Sequence, residues 1–210
     1  MTRLTAILAA AALVALVGGT ALFVFLSRDS GTPDRFAQCR ETAVAGGMAQ
    51  IGGPFELTSE TGERVTETDV IDGLTLIYFG YTYCPDICPV DLLRNGEAIY
   101  ALEDRGVTSI EPVFITVDPN RDTVEQMADY TDFMHPRMLG LTGSQEDIDA
   151  VIAAYRVFAQ RRGDDPENYL MDHSGFTYLM APDVGLVEVF RRDIGPEAMA
   201  DRLECFANNL

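Results

Sequence analysis

The chain of 210 residues contains no lysine and no tryptophan, and only two histidines. All 15 basic side chains are therefore arginines, set against 33 acidic ones for a net charge of -18. Such a surface repels a phosphate backbone, which excludes nucleic-acid binding. The acidity identifies no partner by itself, since solubility of an exposed domain accounts for it. Internal repeats and low-complexity segments are also absent. The length fits one ordinary domain with an accessory segment, and a domain of that size folds on its own core without metals or disulfides.

One stretch lacks charge altogether. Leu4 to Leu26 is built from Ala, Leu, Val, Ile, Phe, Gly and two Thr. As a helix these residues reach about 34 Å, enough for a hydrocarbon core of ~30 Å. Arg3 and the terminal amine precede the run and are expected to stay in the cytoplasm, which puts everything after Arg28 on the far side. Arg28, beside Asp29, weakens that contrast. A cleaved signal peptide has a shorter apolar core followed by small residues, whereas this run ends Phe23-Val24-Phe25-Leu26. A retained single-pass anchor is expected. A helix apolar on every face does not fit the rim of a soluble core.

The organisation expected is an anchor at 1–28, a tether and lead segment carrying Cys39 at 29–50, and a folded domain at 51–210. Phe55–Leu57 and Arg64–Thr66, around Glu60-Thr61-Gly62-Glu63, predict an entry hairpin. Leu74–Phe79 and Pro112–Val117 are continuous apolar runs, as strands buried on both faces require. Helical spacing follows at Pro89–Glu103, Thr123–Phe133 and Gln145–Tyr155. Phe176–Met180 and Leu186–Phe190 flank a turn, and Glu197–Phe206 is a closing helix. A βαβ unit, more helix, an antiparallel hairpin and a helix is the order of an α/β, thioredoxin-like fold. Met138–Asn168 is expected as an insertion into it.

Chemistry concentrates at Cys84-Pro85-Asp86-Ile87-Cys88-Pro89, between the first buried strand and a helix. Each cysteine precedes a proline, which disfavours helical backbone at both. Cys88 is accordingly expected near the N-cap, with the helix starting at Pro89. A thiolate is favoured at that positive end. Three residues separate the sulfurs, one more than in a thioredoxin redox pair. The spacing suits two soft donors around one Cu(I) or Zn ion, without forbidding a disulfide. Metal binding, redox exchange and a structural pair all stay open on this motif alone.

His173 precedes the Phe176–Met180 strand, where this topology faces it toward the cysteine loop as a third ligand. Asp172 is a candidate to orient its imidazole. Met171 and Met180 read as core. His135, before Pro136, reads as a surface residue at a helix C-terminus. A peroxidase-like use of one cysteine is disfavoured, because the acidic loop supplies no cation.

Gly80-Tyr-Thr-Tyr-Cys-Pro-Asp-Ile-Cys-Pro89, Thr116-Val-Asp-Pro-Asn-Arg-Asp-Thr123, Leu141-Thr-Gly143 and Asp172-His-Ser174 together resemble the Sco/SenC family, as does Ile51-Gly-Gly-Pro-Phe55. The resemblance runs from about Gly52 to the C-terminus. It implies a membrane-tethered copper metallochaperone for cytochrome c oxidase, with copper, as Cu(I) or also Cu(II), on Cys84, Cys88 and His173. It also implies delivery to, or thiol reduction at, the binuclear copper centre of subunit II. Another copper chaperone is an alternative partner, and a thiol-disulfide oxidoreductase is the alternative function. With the anchor, it implies the bacterial inner membrane, the soluble domain lying in the periplasm.

Asp118 and Arg121, in the Thr116–Thr123 loop, are supporting candidates near the site, with a loop-closing ion pair as the simpler reading. Cys39 and Cys205 fall outside the metal motif. In an oxidising compartment they are expected to pair, stapling the lead segment to the closing helix. A second metal or redox site is the rival reading.

Overall fold

The unbroken apolar run near the N-terminus forms one α-helix, α1 (Thr2–Leu26). Its described side chains are exposed, among them Ile7, Leu13, Val14 and Leu16. The Thr20 hydroxyl donates to the Leu16 and Val17 carbonyls, so its polar group is satisfied within the helix. The computed structural model describes residues 2–26, 34–42, 48–165 and 167–210, with the side chains at 2–6, 9–10, 21, 23–26 and 49 excluded. Over the described residues alone, no helix is long and apolar enough to cross a membrane. The chain divides into two units, Met1–Asp34 and Arg35–Leu210. Most of the expected tether, at 27–33, lies outside the described residues.

The second unit runs β1 (Glu56–Ser59), β2 (Arg64–Thr66), α2 (Glu67–Val70), β3 (Leu74–Gly80), α3 (Ile87–Asp104), β4 (Ile110–Thr116), α4 (Val124–Met134), β5 (Leu139–Thr142), α5 (Gln145–Ala154), β6 (Ala159–Arg162), β7 (Leu170–His173), β8 (Thr177–Ala181), β9 (Gly185–Phe190) and α6 (Pro196–Ala207). Among the described residues the strands form a seven-stranded sheet, ordered β2-β1-β5-β4-β3-β8-β9, and a separate pair, β6-β7. β3, β4 and β5 are mutually parallel, whereas β8 joins β3 antiparallel. This is the thioredoxin-like arrangement, opened by the β1–β2 hairpin.

β3 is buried at every position, which explains its continuous apolar sequence. On one side of the sheet Phe79, Tyr155 and Tyr178 pack within one core cluster; on the other, Leu76, Leu102, Leu203 and Phe206 form a second. The stretch 138–168 is not wholly an insertion. β5 pairs with both β4 and β1, because Leu141 is apolar enough to sit fully buried inside the sheet. Only β6 within that stretch stands apart from the main sheet.

The lead segment packs on this unit. Phe36 lies in the second core cluster against Phe206, with ring centroids 5.5 Å apart. Cys39 and Cys205 are joined as a disulfide, with Cα atoms 5.7 Å apart and a sequence separation of 166.

Candidate metal centre

The site begins where β3 ends. Gly80 accepts a hydrogen bond from the Val117 N–H at 2.7 Å, which carries the β3–β4 pairing past the strand ends. A Cβ at position 80 would lie 2.9 Å from Cys88 Sγ and 3.0 Å from the rings of Tyr78 and Phe114. Only glycine leaves room for that sulfur to approach the strand so closely.

The cysteine loop differs from expectation at its helix boundary. Asp86 is the N-cap and α3 starts at Ile87, so Cys88 lies inside the first turn and not before it. Pro89 is tolerated there because first-turn N–H groups have no partner within the helix. The placement has a consequence, since the Cys88 N–H donates to Cys84 Sγ at 3.4 Å. Cys84 is half-buried and Cys88 is fully buried.

These environments drive the two thiols apart. The Cys88 side chain, His173 and the backbone N–H groups of Cys88 and Asp86 hold the Cys84 thiol well below its ordinary value, although burial opposes them. The same bond to Cys84, together with burial, pushes Cys88 far up. Cys84 is the thiolate and Cys88 keeps its proton.

His173 ends β7, with Nε2 3.2 Å from Cys88 Sγ and Nδ1 3.0 Å from the Ser174 carbonyl oxygen. A carbonyl only accepts, so Nδ1 carries a hydrogen and Nε2 faces the sulfurs. The rings of Tyr78 and Tyr81 stand edge-on to the imidazole, at 6.2 Å and 5.9 Å. Tyr78 is fixed in turn, donating to Asp91 at 3.0 Å. One ligand-capable atom from each of Cys84, Cys88 and His173 lies within 4.8 Å of the others, and no fourth Cys, His, Asp or Glu joins them among the described residues. Cys84 and His173 open onto a cavity of about 460 Å3 rimmed by Ile87, Phe158 and Leu170.

Asp172 does not orient the imidazole. Its carboxylate pairs with Arg162 at 2.8 Å on the exposed side, as alternation along β7 requires, and the Ser174 carbonyl takes the orienting role. His135 is not a surface residue: its side chain is buried. It caps α4 while its ring lies tilted against Tyr100 with centroids 4.2 Å apart, and burial lowers its pKa. Met180 is core, and Met171 packs against that core partly exposed. Buried Asp118 and partly buried Arg121 form an ion pair at 2.6 Å. The residues that sequence reasoning missed are Gly80, Tyr78, Tyr81 and Ser174. Only glycine directly after a buried strand offered a signal.

A family model described as SCO1/SenC matches residues 43–208. The chain belongs to the SCO1/SenC family. Within it, the chain is 45% identical over 209 residues to Protein SenC of Rhodobacter capsulatus, covering all of this chain and 92% of that one. It is 41% identical over 155 residues to the mitochondrial Protein SCO1 homolog 1 of Arabidopsis thaliana, covering 74% of this chain and 46% of that one. It therefore spans about half the length of that plant SCO1/SenC relative. Among solved SCO1/SenC structures, Arabidopsis thaliana ScoI with copper bound superposes with a TM-score of 0.69. The identity is 42%, with 75% of this chain and 98% of that one covered.

Proposed function

We propose that this chain is a membrane-anchored copper metallochaperone that carries Cu(I) on Cys84, Cys88 and His173. Its recipient is the binuclear copper centre in subunit II of cytochrome c oxidase, with another copper chaperone as the alternative partner. The observation that carries this reading is the convergence of two sulfurs and one imidazole nitrogen within 4.8 Å without a fourth protein donor. Soft, low-coordinate donors suit Cu(I), whereas structural zinc sites close with four ligands. Copper in the Arabidopsis relative's structure supports the choice of metal. The oxidase as recipient rests on the family resemblance.

Transfer by ligand exchange needs an open side. The cavity at Cys84 and His173 offers it, and the exposed Phe158 and Leu170 on its rim suit a partner's apolar contact. Cu(II) would draw further donors from solvent through the same opening. The uncharged run of α1 and its internally bonded Thr20 support a single-pass anchor in the bacterial inner membrane. The Cys39–Cys205 bridge supports an oxidising periplasm for the domain.

The depressed, half-exposed Cys84 beside a buried Cys88 supports a second reading, thiol-disulfide exchange. The Cys84 thiolate attacks a partner's disulfide and releases one partner thiolate. Cys88 then displaces the second, leaving a Cys84–Cys88 disulfide and a partner reduced by two electrons. An external thiol reductant must restore the pair. His173 forms no bond in that sequence and only assists Cys88 in holding the Cys84 thiol low, so His173→Ala in cells lacking the wild-type chain separates the readings. Loss of oxidase assembly supports copper carriage. Full rescue supports thiol exchange and contradicts the copper assignment.

A further inference from the structure

The two halves of the site come from parts of the chain that share no strand pairing. Cys84 lies between β3 and α3 and Cys88 in the first turn of α3, whereas His173 sits on the β6–β7 pair, whose strands form ladder pairings only with each other among the described residues. Ala159 and Met171 rest against the core, while Gln160, Arg161 and Arg162 of β6 are all exposed. Something must set the distance between sulfur and imidazole.

The loop from Val117 to Thr123 touches both halves. Toward the cysteines, Asp122 accepts from the Thr82 N–H at 3.1 Å, the Thr82 hydroxyl at 2.7 Å and the Thr116 hydroxyl at 2.5 Å. Thr82 stands two residues before Cys84. Toward the histidine, Asp118 accepts from the Tyr169 hydroxyl at 2.6 Å and from Arg121 Nε at 2.6 Å. Arg121 Nη1 donates to the Tyr169 carbonyl at 3.0 Å, and its guanidinium lies 3.6 Å from the Tyr169 ring centroid. Tyr169 directly precedes β7. The same cation lies 4.9 Å from the ring of Tyr83 and 5.7 Å from that of Tyr81, so it also faces the cysteine loop. The Arg121 and Asp122 N–H groups donate to the Asp118 carbonyl and lock the loop into one turn.

We propose that the Val117–Thr123 loop is a brace that fixes the spacing of the two halves. Asp122 holds the cysteine loop, and Asp118 with Arg121 holds the histidine hairpin through Tyr169. These are positioning residues, since none of them donates to the sulfurs or the imidazole. Arg121 suits the role because a planar fork can bond a carboxylate and a carbonyl while stacking on a ring. Its Nη2 is buried without a hydrogen-bond partner among the described residues, as expected of a guanidinium held chiefly by aromatic faces. The brace governs how readily His173 swings away from Cys88, and hence how fast a bound metal is released. That last consequence rests on the copper reading, whereas the brace itself does not.

The test uses the full-length chain in detergent, metal-free and with Cys84 and Cys88 reduced. Tyr169→Phe removes one hydroxyl and keeps the ring, and Arg121→Lys keeps the charge but loses the fork. Both should speed amide exchange in 159–162 and 170–173 by about tenfold, the scale of one charge-assisted hydrogen bond. Exchange in β3 and β4 should stay at the wild-type rate. Cu(I) release to a chromogenic chelator should quicken by a similar factor. Wild-type exchange of the β6–β7 amides in both variants would overturn the brace, as would equal acceleration across the whole domain. Failure of the wild-type chain to take up Cu(I) would sink the copper reading alone, because the exchange measurement needs no metal.

Discussion

His173 Nε2 faces Cys88 Sγ across 3.2 Å, from a hairpin that shares no backbone pairing with the strand preceding Cys88. The loop after β3 and the first turn of α3 thus present one sulfur each, and a separate β-pair presents the nitrogen. His173→Ala removes one of three donors and leaves β7 paired through its backbone. Cu(I) affinity should fall by at least about 100-fold, the upper end of what merely losing an orienting partner costs. Thermal unfolding should stay near wild type. Competition against a Cu(I) chelator checks the first expectation and circular dichroism the second.

Proton release follows from the split between the thiols. Cys84, held low, has already lost its proton at neutral pH, while Cys88, pushed up, still holds one. Binding a metal to both sulfurs therefore expels one proton between pH 7 and pH 9. Apparent Cu(I) affinity should rise by about tenfold per pH unit across that window. A flat profile, or a slope of two protons, contradicts the assignment of thiolate to Cys84 and thiol to Cys88.

Gly80→Ala tests the packing beneath the site. The added methyl meets Cys88 Sγ at 2.9 Å, with the Tyr78 and Phe114 rings close on either side. All three neighbours are buried, so relief requires backbone movement. Overpacking of this kind costs about 1–3 kcal/mol, measured as a shift of the denaturant midpoint, and Cu(I) affinity should fall with it. Unchanged stability would mean that α3 can slide away from β3 at no cost.

The Cys39–Cys205 bridge closes most of the domain into one loop. Cys39→Ser with Cys205→Ser should destabilise the domain by about 2–5 kcal/mol, while Phe36 keeps its apolar contacts and the fold persists. In metal-free chain as isolated, with Cys84 and Cys88 reduced by mild treatment, an alkylating reagent should label no more than two thiols, half-buried Cys84 before buried Cys88. Labelling of four in the folded state contradicts the bridge.

The sheet was legible in the sequence wherever strands are buried on both faces, as β3 and β4 are, because only continuous apolar runs fit there. The cysteine pair and His173 were legible from their places in the thioredoxin-like order. Pro89 misled the helix boundary, since its ring is as acceptable inside the first turn as at its start. β5 is only four residues long and leans on neighbours distant in sequence, so a local pattern could not separate it from an insertion. His135 and Asp172 were misjudged for a common reason. The burial of one and the outward face of the other are set by tertiary contacts with Tyr100 and Arg162, which no local spacing records.

The most direct test of the central claim is anaerobic Cu(I) titration of the chain, with X-ray absorption recorded at one equivalent. Saturation is expected at one copper per chain, with two sulfur ligands and one nitrogen ligand. Loss of the nitrogen in His173→Ala and of one sulfur in Cys84→Ser should follow. A wild-type spectrum with no nitrogen ligand, or four sulfur ligands supplied by paired chains, would contradict it.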